Sequence, residues 1–215
     1  MSKREKPPTE QNSTKTYQFR LYPTRKQEHT LEKWLLLCCE TYNAAIDERK
    51  SAYRLAGVSL LYADQCAELP GCKAVRPDLA EVPSQVLQDV VKRVDLAFQA
   101  FFGRVEEGKK LGFPRFKSRF RYHSLTFKQF GNSFRIHEQQ QKNRGMLELA
   151  KLGQVKMVMH RQITGTPKTA IVKRTPSGKW FVNITVELHA KHLQEKHVPP
   201  SQEEVGIDVG LSTFA

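Results

Sequence analysis

The chain has 215 residues, 39% of them hydrophobic and 9% aromatic, which is enough to bury a core and excludes a wholly disordered chain. Lysine and arginine number 35 against 22 aspartates and glutamates, so the formal net charge is +13 and a polyanionic partner is favoured. Nucleic acid is favoured over a membrane because no long apolar run could anchor the chain in a bilayer.

The start of the chain and its cysteines bear on where the protein works. The first 15 residues are polar and lack the apolar stretch of a secretory signal, so we expect a protein inside the cell and a basic disordered tail over residues 1–15. The cysteines at 38, 39, 66 and 72 form no C-x-x-C pair. We therefore expect reduced, packed thiols, with neither a zinc site nor a disulfide framework.

A strand and a long helix are predicted next. Residues 16–21 alternate as a short strand that ends at Pro23. Thr24 and Gln27 have the spacing of a capping box, which predicts that a helix begins there, and Gly57 is a typical C-terminal stop. The apolar face predicted for this helix comprises Leu31, Trp34, Leu35, Cys38, Tyr42, Ala45, Ile46, Arg49 and Tyr53.

Two further helices are predicted before residue 112. The shorter covers residues 61–69 and stops at the Pro70-Gly71 pair. The longer begins at Ser84 and keeps one apolar stripe, which comprises Leu87, Val90, Val91, Val94, Ala97, Phe98, Phe101, Phe102 and Val105. Its opposite face, which we expect to meet solvent or a ligand, carries Gln88, Lys92, Arg93, Gln99 and Arg104.

After Gly112 the chain breaks into short alternating runs that predict strands. The predicted strands cover residues 125–127, 134–136, 146–149, 155–159, 170–173 and 180–188, with a turn at 176–178. The strand at 16–21 has no sheet of its own, so we expect it to pair with these later strands. The predicted fold class is α+β, a small antiparallel barrel into which the helices are inserted. Residues 192–204 are typical of a linker, and 205–209 predict one more strand.

Residues 113–122 alternate cations with aromatic rings. Cations can neutralise phosphates while rings stack on bases, which is the combination that binds single-stranded or structured nucleic acid. The alternative is a strand with a buried aromatic face and a solvated basic face, and the net charge favours binding. The polar face of the helix from Ser84 is a second candidate, because such side chains can hydrogen-bond base edges in a major groove; the alternative there is a merely solvated face.

Asp208 stands on an apolar strand between Gly206 and Gly210. A buried carboxylate needs a partner such as a divalent cation, but two-metal phosphodiester chemistry takes several carboxylates, so Asp208 supplies one ligand set only. The same Asp-x-Gly pattern also suits nucleotide-binding folds of the sugar-kinase type, and a turn-capping aspartate is the structural alternative. The histidines at 189, 192 and 197 are too loosely spaced to predict a metal site.

Five segments together resemble the TnpB proteins of bacterial and archaeal insertion sequences, OrfB-type transposon proteins related to the type V CRISPR effectors. The segments are FRLYPT at 19–24, VPSQVLQD at 82–89, GFPRFKS at 112–118, TPSGKW at 175–180 and GIDVG at 206–210. The resemblance implies a wedge barrel formed by residues 16–23 and 112–191, a helical recognition domain at 24–111, a linker at 192–204 and, at 205–215, the first strand of an RNase H-like RuvC domain.

The resemblance also implies an RNA-guided DNA endonuclease that uses a guide RNA from the transposon end and binds target DNA beside a short motif. The residues implied to contact the duplex at that motif are Tyr62, Ser84, Gln88 and Lys92. The residues implied to contact nucleic-acid backbone are Arg115, Lys117, Arg119 and Arg121.

Asp208 matches the first RuvC aspartate of the family, which helps to coordinate magnesium. The family's glutamate, second aspartate and zinc ribbon have no counterpart before Ala215. We therefore expect an incomplete catalytic site, little magnesium binding, no zinc site and no DNA cleavage by this chain. The leading hypothesis is the N-terminal, nucleic-acid-binding part of such a nuclease, cytoplasmic and nucleoid-associated, without membrane contact and of open oligomeric state.

Two other functions stay open at this point. A stand-alone DNA-binding module, acting like a repressor with no nuclease role, would bind its target without cutting it. A nucleotide-dependent phosphotransferase fragment is suggested by Asp208, but it would need a second phosphate loop, and the basic, aromatic middle of the chain argues against it.

Overall fold

The computed structural model describes residues 13–110, 112–138 and 143–188. The helical elements of this part are α1 (Arg25–Ala56), α2 (Tyr62–Val75), a 3-10 segment (Pro77–Glu81) and α3 (Ser84–Glu106). The strands are β1 (Ser13–Tyr22), β2 (Ser124–Lys128), β3 (Phe134–Glu138), β4 (Arg144–Leu149), β5 (Gly153–Val158), β6 (Thr166–Arg174) and β7 (Trp180–Leu188). The predicted α+β class is confirmed.

The seven strands form one antiparallel sheet, in the order β2-β6-β7-β1-β5-β4-β3, that curls into a nearly closed barrel. Its inner face is built by alternation, since β1 buries Tyr17, Phe19 and Leu21 while the residues between them are more exposed. An isolated bridge between Phe130 and Phe134 joins the segment after β2 to β3.

The first strand pairs with later strands, as the sequence predicts. β1 is central, with β7 on one side and β5 on the other. It begins at Ser13, so residues 13–15, which were predicted to lie in a disordered tail, instead pair with residues 186–188 of β7. Backbone pairing with β7, which is distant in the chain, holds these three extra residues of β1. The local sequence pattern of β1 therefore does not predict them.

The three α-helices lie in the chain between β1 and β2, two strands of the same sheet. Their buried side chains and those of the sheet form one continuous hydrophobic cluster. The helices therefore fold against the barrel and share its core, which fixes where their outer faces point.

Helix α1 follows its predicted signals closely. Thr24 accepts a hydrogen bond from the Gln27 backbone at 3.3 Å, and the Gln27 side chain accepts one from the Thr24 backbone at 3.0 Å. Gly57 ends the helix with φ 66°, a left-handed conformation that favours glycine. Tyr53, placed on the buried face by its spacing, is exposed because the helix by then extends past the elements that cover it.

Two helical predictions were wrong in extent. Helix α2 continues through Pro70 to Val75 rather than stopping there. Pro70 is exposed, and Gln65 and Leu69 are buried on the opposing side, so packing outweighs the lost backbone hydrogen bond. In α3 the buried stripe ends at Phe98, while Phe102 and Val105 are exposed.

Every predicted strand between residues 125 and 188 is present, and residues 175–178 make the β6–β7 hairpin turn, with Gly178 at φ 78°. The predicted linker, the predicted strand at 205–209 and Asp208 lie outside the described residues. Within the described part, no helix is long and apolar enough to cross a bilayer.

Candidate functional site

The segment of alternating cations and rings, residues 112–123, is an irregular loop that crosses α1 and α3, and is called the basic loop below. It is not the strand with a buried aromatic face that was the alternative interpretation. Phe113, Phe116 and Phe120 are 43%, 54% and 79% exposed, and Tyr122 is the buried ring of the loop. Phe113 packs against Phe98 and Phe101 of α3, with ring centroids 5.5 and 5.1 Å apart, but core packing does not account for Phe116 and Phe120.

The basic loop is fixed to the helices through its backbone. Asn43 of α1 accepts a hydrogen bond from the Lys117 N–H at 2.8 Å and donates one to the Lys117 carbonyl at 2.9 Å. Arg104 of α3 donates to the Gly112 carbonyl at 2.9 Å. The loop thus has a defined conformation although it contains no regular structure.

The cations of the basic loop contact rings rather than carboxylates. Lys117 Nζ lies 4.4 Å from the Tyr42 ring centroid, and the Arg119 guanidinium lies 4.7 Å from that of Phe120. Lys50 of α1 lies 4.9 Å and 4.6 Å from the centroids of Phe113 and Phe116. Within the described residues, no carboxylate is ion-paired with any of the four predicted cations, Arg115, Lys117, Arg119 and Arg121.

Two clefts adjoin the loop. The first, here the cationic cleft, has a volume of about 690 Å³ between the loop and the C-terminal half of α3, and the charged side chains that line it are Arg104, Arg115, Lys117 and Arg121. The second, here the hairpin cleft, measures about 480 Å³ between α1, the loop and the β6–β7 turn. Its acidic side chain, Glu32, is paired with Arg174 at 2.9 Å. Both clefts are therefore electropositive.

Burial and nearby cations lower the pKa of two side chains of the basic loop. Burial and then the neighbouring Arg93 lower the pKa of Lys117. Burial, followed by Lys173, Lys117 and Arg93, lowers the pKa of His123 below its usual 6.5, so this imidazole is neutral at pH 7. An anion in either cleft would oppose these shifts, because it stabilises the protonated forms.

The structure brings together the four other predicted contact residues. Ser84, Gln88 and Lys92 lie at successive turns of α3, alongside the antiparallel helix α2. Lys92 Nζ is 5.1 Å from the ring centroid of Tyr62 at the start of α2, and Lys73 near its end donates to Ser84 at 2.7 Å. We call this row, Tyr62 with Ser84, Gln88 and Lys92, the α3 stripe.

A network of buried polar groups under the α3 stripe was not predicted. Arg49 of α1, 8% exposed, donates to Gln65 at 2.7 Å and to one oxygen of Asp95 at 3.3 Å. The other Asp95 oxygen accepts from Lys92 at 2.7 Å and from Gln99 at 2.8 Å. Lys92 thus has a carboxylate partner, Asp95, which it shares with Arg49, whereas the cations of the basic loop have none among the described residues.

A second unpredicted carboxylate ties α3 to the barrel. Asp89 is buried and binds Arg93 at 2.9 Å and Lys128 at 2.9 Å. Arg93, expected on the solvent face, donates to the Ser124 carbonyl at 3.1 Å and to Thr126 at 2.6 Å. These contacts hold α3 on β2, so Arg93 is not available to a ligand.

Hydrogen bonding, chiefly with Cys66, raises the pKa of Tyr62 to about 12. Its hydroxyl therefore stays protonated at neutral pH. The described residues contain no group of three or more His, Cys, Asp and Glu side chains placed to hold a metal ion. Asp208, the predicted magnesium ligand, lies outside the described residues.

Comparison with known proteins adds to this geometry. Residues 13–57 match a family model described as a helix-turn-helix domain, of the OrfB type. InsQ of Escherichia coli, named as an RNA-guided DNA endonuclease, is 27% identical over 201 residues, which are 93% of this chain and 46% of that protein. A protein of Streptomyces pristinaespiralis with the same type of name is 26% identical over 210 residues, 95% of this chain and 48% of that protein.

The matched model describes transposon-encoded proteins of the OrfB type. The chain is similar to TnpB-type proteins over nearly its whole length, as the order of its five sequence segments predicts. It spans about half the length of the curated relatives it matches.

The description of the matched model does not fit the geometry of the matched residues. Residues 13–57 comprise one strand, β1, and one helix, α1, and the next helix begins only at Tyr62. The face of α1 that carries Leu31 to Arg49 is buried, so only its opposite face is open to a ligand.

Proposed function

We propose that this chain is the nucleic-acid-binding part of a TnpB-type, RNA-guided DNA endonuclease and that it binds both guide RNA and target DNA. The basic loop carries the proposal: its phenylalanines are exposed, its cations have no carboxylate partner among the described residues, and it is held rigidly on two helices. The names of the two relatives support the same function.

The basic loop supplies contacts that do not depend on sequence. Arg115, Lys117, Arg119 and Arg121 neutralise phosphates, which releases condensed counterions and makes binding depend on salt. Their neighbouring rings offer stacking surfaces to bases. Burial and then nearby cations disfavour the protonated forms of Lys117 and His123, and a phosphate in the cationic cleft would favour them.

The α3 stripe supplies contacts that depend on sequence. Ser84 and Gln88 are exposed and can hydrogen-bond base edges, and from Ser84 to Lys92 the helix rises about 12 Å, the span of three or four base pairs. Lys92 is already bound to Asp95, so the free polar groups that this face offers are chiefly the uncharged side chains of Ser84 and Gln88. It is suited to reading the short duplex beside the target.

Asp208 enters the proposal from the resemblance alone. It would supply one carboxylate to a magnesium ion whose other ligands are not among the described residues. DNA cleavage by the complete nuclease would depend on that ion, whereas the binding functions proposed above depend only on the basic loop and the α3 stripe.

The test is purification of the protein from cells that carry its native locus, followed by sequencing of the RNA that co-purifies. We expect enrichment of RNA from the transposon's own end. We expect this enrichment to be lost in a variant in which glutamine replaces Arg115, Lys117, Arg119 and Arg121. Folded protein with no enriched RNA but with sequence-selective duplex binding would contradict guide binding and favour a stand-alone DNA-binding module.

A further inference from the structure

Phe120 is the most exposed aromatic side chain of the described residues, at 79%. It is a central residue of the turn at 118–121, which is closed by a hydrogen bond from the Arg121 N–H to the Ser118 carbonyl at 2.9 Å. A large apolar ring at a turn tip adds nothing to the core. Its exposure points to a binding role.

The turn is anchored on both sides, so the ring is presented in a fixed place. Before it, the Lys117 backbone makes its two hydrogen bonds to Asn43. After it, Tyr122 is buried and packs against Tyr42 with ring centroids 6.2 Å apart. A ligand that stacks on Phe120 would therefore lose little free energy to ordering the loop.

Phe120 stands where the two clefts adjoin, because it and His123 line both of them. Their volumes, about 690 and 480 Å³, fall in the range of roughly 300–1,000 Å³ that is typical of ligand clefts. No acidic side chain lines the cationic cleft within the described residues. The chemistry around the ring therefore suits a polyanion that also carries flat aromatic groups.

We infer that Phe120 is a stacking platform for an unpaired nucleobase whose sugar–phosphate backbone lies in the cationic cleft. This inference rests on the proposed function and narrows its ligand to single strands and to duplexes with an unpaired base. Bases inside a continuous duplex are already stacked on each other and cannot reach the ring, whereas a free base can. An acidic peptide would use the cations but not the ring.

The experiment compares three oligonucleotides that contain 2-aminopurine: a single strand, a duplex with one unpaired 2-aminopurine, and a fully paired duplex. Each is titrated with the full 215-residue chain, with Phe120→Ala and with Phe120→Trp. Tyr53→Ala is the matched control, since Tyr53 is also an exposed ring but lines neither cleft.

We expect Phe120→Ala to weaken binding of the two substrates with an unpaired base by about 5- to 150-fold, the range for one lost base stack. Stacking should quench 2-aminopurine with the unaltered protein and with Phe120→Trp, but not with Phe120→Ala. Phe120→Ala should change the affinity for the paired duplex by no more than about twofold. The same should hold for polyglutamate, which is the probe for an acidic peptide, and Tyr53→Ala should change none of these affinities.

Equal affinity and equal quenching for Phe120→Ala and the unaltered protein would overturn the inference and leave the proposed function standing. An equal loss for polyglutamate would overturn it as well, because the site would then serve an acidic peptide. Failure of the unaltered protein to bind any of the three oligonucleotides would contradict the proposed function itself.

Discussion

The basic loop and the α3 stripe both carry cations on exposed parts of the molecule, but their charges are used differently. In the α3 stripe Lys92 is paired with Asp95, which also binds the buried Arg49. In the basic loop Lys117 and Arg119 contact rings, and burial together with nearby cations lowers the pKa of Lys117 and of His123. Charge held by an internal partner maintains the fold, while charge without one is available to a ligand.

The largest effect is expected from removing the carboxylate beneath the α3 stripe. Asp95→Ala leaves the buried guanidinium of Arg49 without its carboxylate, which should lower the free energy of unfolding by about 3–5 kcal/mol. Urea denaturation followed by circular dichroism measures it. The control is Glu107→Ala, which breaks an exposed pair with Lys109 and should cost about 0.2–1 kcal/mol. Equal losses would contradict an internal role for Asp95.

Replacing all four cations of the basic loop with glutamine should act on binding and leave stability nearly unchanged. We expect affinity for nucleic acid to fall roughly 100- to 1,000-fold at about 0.15 M salt, and the slope of log K against log salt to fall by about 3–4. Fluorescence anisotropy over a salt series measures both quantities.

The control for this variant removes four exposed cations that line neither cleft, Arg25, Lys26, Lys156 and Arg161. A clearly smaller loss in the control is the expected result. Equal losses in both variants would mean that net charge alone, and not the basic loop, determines affinity.

A smaller and different effect is expected from Gln88→Ala in the α3 stripe. Loss of a side chain that pairs with a base edge should reduce discrimination between duplex sequences by about 1–3 kcal/mol and leave the salt slope unchanged. Competition binding against a randomised duplex library measures the preference. The control is Gln154→Ala, which removes an exposed glutamine of β5. A changed salt slope in Gln88→Ala would mean that the α3 stripe, like the basic loop, binds through charge.

The smallest effect is expected from His123, and its sign follows from the pKa. The pKa of His123 in the folded chain lies below 6.5, the value of an unperturbed histidine. Between these two pKa values the unfolded chain binds more protons, so the free energy of unfolding falls as the pH drops below about 6.5. A bound phosphate raises this pKa, so binding takes up a proton and affinity should rise roughly two- to fivefold between about pH 7.5 and about pH 5.5. His123→Gln should flatten the rise, and His29→Gln should retain it; a rise that persists in His123→Gln would assign it to another group.

Local sequence signals predicted most of the fold because they are physical causes that act within a few residues. The capping box at Thr24 and the glycine at 57 fix the ends of α1, and alternation fixes the strands. The helix through Pro70 was not predicted, since tertiary packing of Gln65 and Leu69 outweighs the local cost of proline.

The sequence predicts the exposed residues of the candidate site but not the buried residues that hold them in place. Spacing on one helix face brings Ser84, Gln88 and Lys92 together, and the structure places Tyr62 beside them. Asp89 and Asp95 are buried by contacts with Arg93 and Arg49 from other turns and helices, which no local pattern encodes. The loop conformation depends likewise on Asn43, which lies 74 residues earlier in the chain than Lys117.

Nucleic-acid binding by the basic loop is tested most directly by locating the nucleic acid on the unaltered protein. The full 215-residue chain would be photo-cross-linked to single-stranded RNA and DNA that carry photoreactive pyrimidines, and the cross-linked peptides mapped by mass spectrometry. We predict that the main cross-links fall in residues 112–123, at Phe116 or Phe120. Cross-links confined to the barrel strands or to α1, in a complex that forms at physiological salt, would contradict nucleic-acid binding by the basic loop.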